Sequence, residues 1–149
     1  MSLESFSQRM KLRAKNLPRE VNKVVRKAAL ACDQALVLAT PVDTGRARSN
    51  WIVSLGTDTN SVIEPYDPLT PGTDPGKLGE SGNAQAALAQ GQAEIAQRKP
   101  GQAIHITNNV DYIGRLNEGS SAQAPVMFVQ AAIRSGVEAV KGAKIDTGR

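Results

Sequence analysis

Acid-base or nucleophilic chemistry needs a titratable side chain with a partner, and this chain of 149 residues offers one histidine and one cysteine from which to build it. His105 sits in the alternating run 102–107 (QAIHIT), on the side opposite Ile104 and Ile106, with no carboxylate at a spacing that would orient it. A solvated strand histidine fits that setting better than a general base. Cys32 lies among alanines, where a small buried residue is the expected role and a nucleophile is not. The sequence contains no glycine-rich phosphate loop of the Walker type, no G-x-G-x-x-G between strand and helix, and no His and carboxylate cluster at metal spacing. These residue types predict a protein that is not an enzyme and uses no cofactor and no metal. The enzymatic alternative is a hydrolase built on His105, whose activity would disappear on His105→Ala.

A chain of 15.8 kDa is the size of one ordinary domain, spanning 1–149, and can bury a core without metal or disulfide staples. One cysteine leaves no internal disulfide and no thiolate pair for zinc, which points to a reducing cytoplasm. No stretch approaches the roughly 20 apolar residues of a membrane helix, and the basic N-terminus lacks the apolar core of a secretory signal. The expectation is a chain without a membrane span that stays where it is made. An aromatic content of 3% is lean for a domain stable alone, and oligomerisation is one way to bury more surface per chain.

The net charge of +4 is unevenly spread: residues 1–50 hold ten of the 18 Lys and Arg and four of the 14 acids, so this third of the chain is +6 and the remainder −2. A basic segment can meet nucleic acid, an acidic protein surface or an anionic membrane, or simply be a solvated helix face; charge alone does not choose. Phe6 is the only aromatic among these basic residues, whereas single-strand binding modules interleave aromatics with their charges.

Leu17, Val21, Val24, Ala28, Ala31, Ala35 and Leu38 recur at three- and four-residue steps, flanked by Val25, Ala29, Cys32 and Leu36, which predicts a helix over 18–39 with this stripe inward. Pro18 suits a first helical position, with Asn16 or Leu17 as cap. Leu3, Phe6 and Met10 continue the spacing upstream, so a shorter helix precedes the proline or is continuous with it. Pro41 ends the helix, and Asp43-Thr44-Gly45 reads as a turn with glycine at positive φ. Alternation over 49–56 (SNWIVSLG) predicts a strand buried through Trp51.

Four prolines and four glycines then mark 57–83 as a long loop, either mobile or an arm that orders against a neighbouring subunit, with a few residues of strand at 61–63. Asn83 is expected to cap a helix over 84–98, with Ala84, Ala87, Leu88, Gly91 and Ile95 on its apolar face. Residues 102–107 form a second strand, 111–118 a short helical turn closing at Gly119, and Pro125 starts a last helix. That helix should turn Val126, Val129, Ala132 or Ile133, Val137 and Val140 inward. The order predicts an α+β fold: a long N-terminal helix and a C-terminal helix packed on a small antiparallel sheet, with a long Pro/Gly-rich arm.

Two segments carry specific information. The first is Thr40-Pro41-Val42-Asp43-Thr44-Gly45-Arg46-Ala47-Arg48-Ser49-Asn50-Trp51, and the second is Tyr112-Ile113-Gly114-Arg115-Leu116-Asn117-Glu118-Gly119-Ser120-Ser121 followed by Gln123-Ala124-Pro125. Pro41, Asp43, Thr44 and Gly45 read as a structural turn, with Trp51 as core. Arg46 and Arg48 alternate onto one face at the start of the strand, where they can bond a neighbour's carboxylates or carbonyls. Tyr112 and Leu116, four apart, should pack together, leaving Arg115 and Glu118 outward as interface candidates.

In these two blocks, and in the order of elements around them, the sequence resembles the tail-completion or neck proteins of tailed bacteriophages, the minor tail protein Z-like family. The residues after Pro125, Val126-Met127-Phe128, depart a little from the family pattern. The resemblance implies a structural virion protein at the head-tail junction, made in the host cytoplasm, that joins the head connector to the tail. It further implies a homo-oligomeric ring, with six copies expected, and partners among the head connector or adaptor and the tail terminator or tail tube proteins. DNA passing through the lumen would be met transiently and without sequence preference. A ring needs two different complementary patches per subunit. The basic N-terminal helix and the Pro/Gly arm are the candidates. The alternatives are a tail terminator capping the tail tube and, from another class, a basic non-specific nucleic-acid-binding module.

Overall fold

The computed structural model describes residues 2–42, 44–68, 82–122 and 126–145. Along the chain run α1 (Leu3–Ala39), α2 (Arg46–Ser49), β1 (Ile52–Leu55), α3 (Gly82–Ala96), β2 (Ile104–Thr107), α4 (Ile113–Asn117) and α5 (Phe128–Val140). The two strands pair antiparallel, with Ile52 opposite Thr107 and Leu55 opposite Ile104, and the helices pack on them. This is the expected α+β arrangement. Of the arm, residues 69–81 lie outside the described residues, as do Gln123, Ala124 and Pro125 and the chain end from 146.

The N-terminal helix is one continuous piece of 37 residues, so Pro18 is an interior residue and neither Asn16 nor Leu17 caps anything. Ser2 is the cap: its Oγ accepts from the Ser5 amide at 3.1 Å. The stretch before Pro18 is rich in good helix formers, and it is solvated nearly all round, so the carbonyl orphaned by the missing proline N–H can bond water.

The inward face of α1 is also rotated from the expected stripe. Asn22, Asp33, Leu36 and Val37 are buried, whereas Leu17 (43%), Val21 (38%) and Leu38 (47%) are exposed. The reason is that α1 has two neighbours, α3 on one side and α5 on another, so no single stripe describes its contacts. Leu36 and Val37 join Trp51, Ala84, Ala87, Phe128 and Ala132 in the core cluster, with Cys32, Ala35, Ala39 and Leu116 packed against it.

On α5 the buried residues are Phe128, Ala132 and Gly136, while Val126, Ile133 and Val137 are exposed and Val129 and Val140 half-buried. The expected face holds at Ala132 and, in part, at Val129, and is lost at Val126 and Val137: Met127 takes a left-handed φ of 64°, the helix starts only at Phe128, and that ring is buried. Gly136 lets α5 close on α1: a Cβ there would lie 2.9 Å from the Ala28 carbonyl oxygen.

The first strand is shorter than its alternation suggests. Ser49 belongs to α2, Asn50 follows as its C-cap, and 61–63 forms no strand. On the edge of β1, the Gln90 amide of α3 stands in for a third strand, accepting from Val53 N at 3.0 Å and donating to Val53 O at 2.9 Å. Asn83 lies inside α3 and its buried side chain serves the loop before it. Arg98, just past that helix, donates through Nη1 to Asn22 Oδ1 at 2.5 Å and through Nε to Gln102 O at 2.8 Å, tying the end of α3 to α1.

Candidate interaction site

The C-terminal end of α1 leaves carbonyls with no intrahelical donor, and the residues that satisfy them build the site. Thr40 Oγ1 donates to Leu36 O at 2.6 Å and accepts from Trp51 Nε1 at 2.7 Å. Arg48 Nη2 donates to Thr40 O at 2.9 Å, with Leu38 O at 3.4 Å. A cation at the negative end of a helix is favourable, and here it is 7% exposed. Burial lowers the Arg48 pKa from its usual value. Arg48 is therefore a cap of α1 and part of the interior. The alternation of Arg46 and Arg48 along a strand is corrected with it: both sit on the single turn of α2, where Arg46 is exposed and Arg48 is not.

Pro41 is buried and Thr40 before it is extended, as the ring demands. Gly45 has φ 84° and packs so closely on Asn83 that a Cβ would collide with its amide. Thr44 Oγ1 accepts from Arg46 N at 3.4 Å. Asp43, expected to bond within this turn, lies outside the described residues. Trp51 is core, 6% exposed.

Three asparagines then fasten the following chain. Asn50 Oδ1 accepts from Ile63 N and its Nδ2 donates to Ile63 O, each at 2.8 Å. Asn83 Oδ1 accepts from Asp67 N at 2.7 Å and from Ser49 Oγ at 2.9 Å, and its Nδ2 donates to Asp67 O at 2.6 Å. Asn109 Nδ2 donates to Thr59 O at 2.8 Å. Residues 57–67 are therefore a strap bound to the body, which the proline and glycine content did not reveal.

The second segment folds as α4 with Gly119 closing it at φ 100°. Tyr112 and Leu116 are half-buried, and Arg115 and Glu118 are exposed. Asn117, to which sequence reasoning gave no role, caps α5: its Oδ1 accepts from Val129 N at 2.9 Å and its backbone carbonyl from Met127 N at 2.7 Å. The signal available was its place eleven residues before a helix, too far for any local capping pattern.

The fold brings the two segments to one place. Pro41, Val42, Thr44, Gly45, Arg46 and Ala47 from the first, with Tyr112, Leu116 and Ser121 from the second, line a depression of about 390 Å³. Among the described residues that line it, Arg46 is the one that is charged. Such a depression can seat an apolar side chain beside a carboxylate or carbonyl. Arg115 and Glu118 do not line it.

The residues first considered for catalysis stay apart from this depression. His105 Nε2 lies 3.3 Å from Gly56 O at the sheet, and Cys32 borders an open apolar trough of about 400 Å³ between α1, β2 and α5. Burial, and then the neighbouring Asp33, raise the Cys32 pKa. Among the described residues no group of three potential metal ligands forms, and no helix is long and apolar enough to cross a membrane. Compared with protein-family models, with curated proteins and with solved structures, the chain finds no match.

Proposed function

We propose that this protein is a non-enzymatic structural component of a tailed-bacteriophage virion, a ring at the head-tail junction that joins the head connector to the tail. The observation that carries the reading is the meeting of the two resembling segments, more than sixty positions apart, around one depression with exposed Arg46 at its edge. A ring subunit must offer its neighbours two different surfaces, and the solvent-exposed N-terminal end of α1 supplies material for one of them. Its partners in this reading are further copies of itself, six in all, together with connector, terminator or tube proteins. DNA in the lumen is touched only through phosphates.

The test is the mass of the purified protein by light scattering behind size exclusion, alone and then mixed with assembled tails or DNA-filled heads. A ring-sized species, or a monomer recruited to one kind of particle, is the expected result. Recruitment to tails alone would favour the terminator position, and a monomer indifferent to both particles overturns the junction reading. Submicromolar binding to duplex DNA at physiological salt would instead support a nucleic-acid module.

A further inference from the structure

The N-terminal part of α1 presents an apolar face that none of the described residues covers. Leu3, Phe6, Met10 and Leu17 follow one another at helical spacing and are between 43% and 88% exposed. Lys11, Arg13 and Lys15 are interspersed with them, all exposed and none in an ion pair among the described residues. This is a basic, amphipathic helix end, and only something apolar and acidic satisfies both halves of its character.

The strap over 57–67 has that composition. Asp58, Glu64 and Asp67 are exposed and make no ion pair among the described residues, and no Lys or Arg occurs between Arg48 and Lys77. Val62 and Tyr66, each 43% exposed, lie between the acids. Because Asn50, Asn83 and Asn109 hold its backbone, the strap offers a preorganised surface whose ordering cost is already met by the fold.

The second half of the strap stands far from the helix end of its own chain. The strap is bonded to Ser49 and Asn50, beside Thr40 at the far end of α1. Leu17 precedes Thr40 by 23 positions of continuous helix, about 35 Å along the axis at about 1.5 Å per residue. A second molecule can bring its helix end to that part of the strap, and each copy carries one of each surface.

We propose that residues 57–67 are the docking face for residues 3–17 of a second copy of this chain, with basic helix against acidic strap in a head-to-tail contact. The contact deepens the ring reading and rests on it only in requiring copies to meet. Different patches on the two sides make the contact heterologous, so it propagates from copy to copy until it closes. Val62 and Tyr66 supply apolar area, while the charges set orientation and make the contact salt-sensitive.

The experiment is a charge exchange followed by light scattering and sedimentation. Lys11→Glu with Lys15→Glu in one variant, and Asp58→Lys with Glu64→Lys in another, change exposed positions that leave the folded body intact, which circular dichroism verifies. Each variant alone should associate at least about tenfold more weakly than the natural chain, and an equimolar mixture of the two should recover, because the acidic helix end of one meets the basic strap of the other and the basic helix end of the second meets the acidic strap of the first. A chain carrying all four changes, in which every contact has its charges reversed on both sides, should associate again. Association unchanged by the single-sided variants overturns this docking face while leaving the ring standing. Loss that the four-change chain does not restore overturns it too. A natural chain that stays monomeric at every concentration and on every particle overturns both readings.

Discussion

The two halves of α1 share an apolar spacing of three and four residues and stand in opposite surroundings. From Asn22 to Thr40 the helix is wedged between α3 and α5, its inward side chains are small or branched, and even its polar groups are buried. Before Val21 the apolar side chains are larger, yet they face solvent, because α5 passes Ala28 at Gly136 and stops one turn later at Val140. Periodicity marks a face that will be covered; it does not say by which molecule.

Breaking the packed half should cost most at its cap. Arg48→Met keeps much of the side chain's bulk but removes the donor to Thr40 O, leaving a buried helix-terminal carbonyl unmet. The expected loss is about 3 kcal/mol in urea unfolding, with Arg46→Met as the companion that changes stability by less than about 0.5 kcal/mol. Equal effects would remove the distinction drawn between a buried cap and an exposed edge of the depression. Gly136→Ala comes next. Its Cβ meets the Ala28 carbonyl oxygen at 2.9 Å and Cys32 Cβ at 3.2 Å, so α5 must move away. Overpacking of about 3 kcal/mol, offset by about 1 kcal/mol of helix propensity, leaves a net loss of about 2 kcal/mol in thermal or urea unfolding.

Asp33 sharpens the comparison through pH. Its carboxyl is 1% exposed, Oδ1 has no hydrogen-bond partner among the described residues, and a Cβ on the facing Gly91 would collide with Oδ2. Burial pushes its pKa from 3.8 to about 7. Between those values the folded chain holds a proton that the unfolded chain has released, so this group's contribution to stability falls as pH rises from about 4 to 7 and is level above that. Asp33→Asn removes the dependence. The variant should be about 1–2 kcal/mol more stable than the natural chain at pH 8, with the gain vanishing towards pH 4. A gain independent of pH would show that the carboxyl is not protonated on folding.

Much of this was readable in the residues. Pro41, Gly45 and Gly119 act locally through φ, so the end of α1 and both turns stand where punctuation put them. Ile104 and Ile106 alternate, and the second strand follows. What escaped depends on partners distant in sequence. Arg48 is an interior cap only because the chain turns back onto Thr40, and Asn117 finds α5 twelve residues later. Asn50 and Asn83 fasten a strap 13 and 16 positions away, and no local pattern tells a clamp asparagine from a turn or cap asparagine. The depression is legible only in parts: its two walls were singled out separately, and their meeting is a property of the fold.

The smallest expected effect is the one that isolates the free half. Phe6→Gln combined with Met10→Gln replaces two large exposed side chains by a good helix former, and neither position touches the core cluster. Unfolding of the isolated subunit should change by less than about 0.5 kcal/mol, since no buried area is lost within it. Helix content by circular dichroism should stay the same, because Ser2 still caps the first turn. Association, in contrast, should weaken together with that of Lys11→Glu and Lys15→Glu, since the apolar stripe and the charges lie on one helix end. A loss of more than about 1 kcal/mol in the monomer would mean that residues 3–17 pack on their own body, and the contrast between the two halves of α1 would fall.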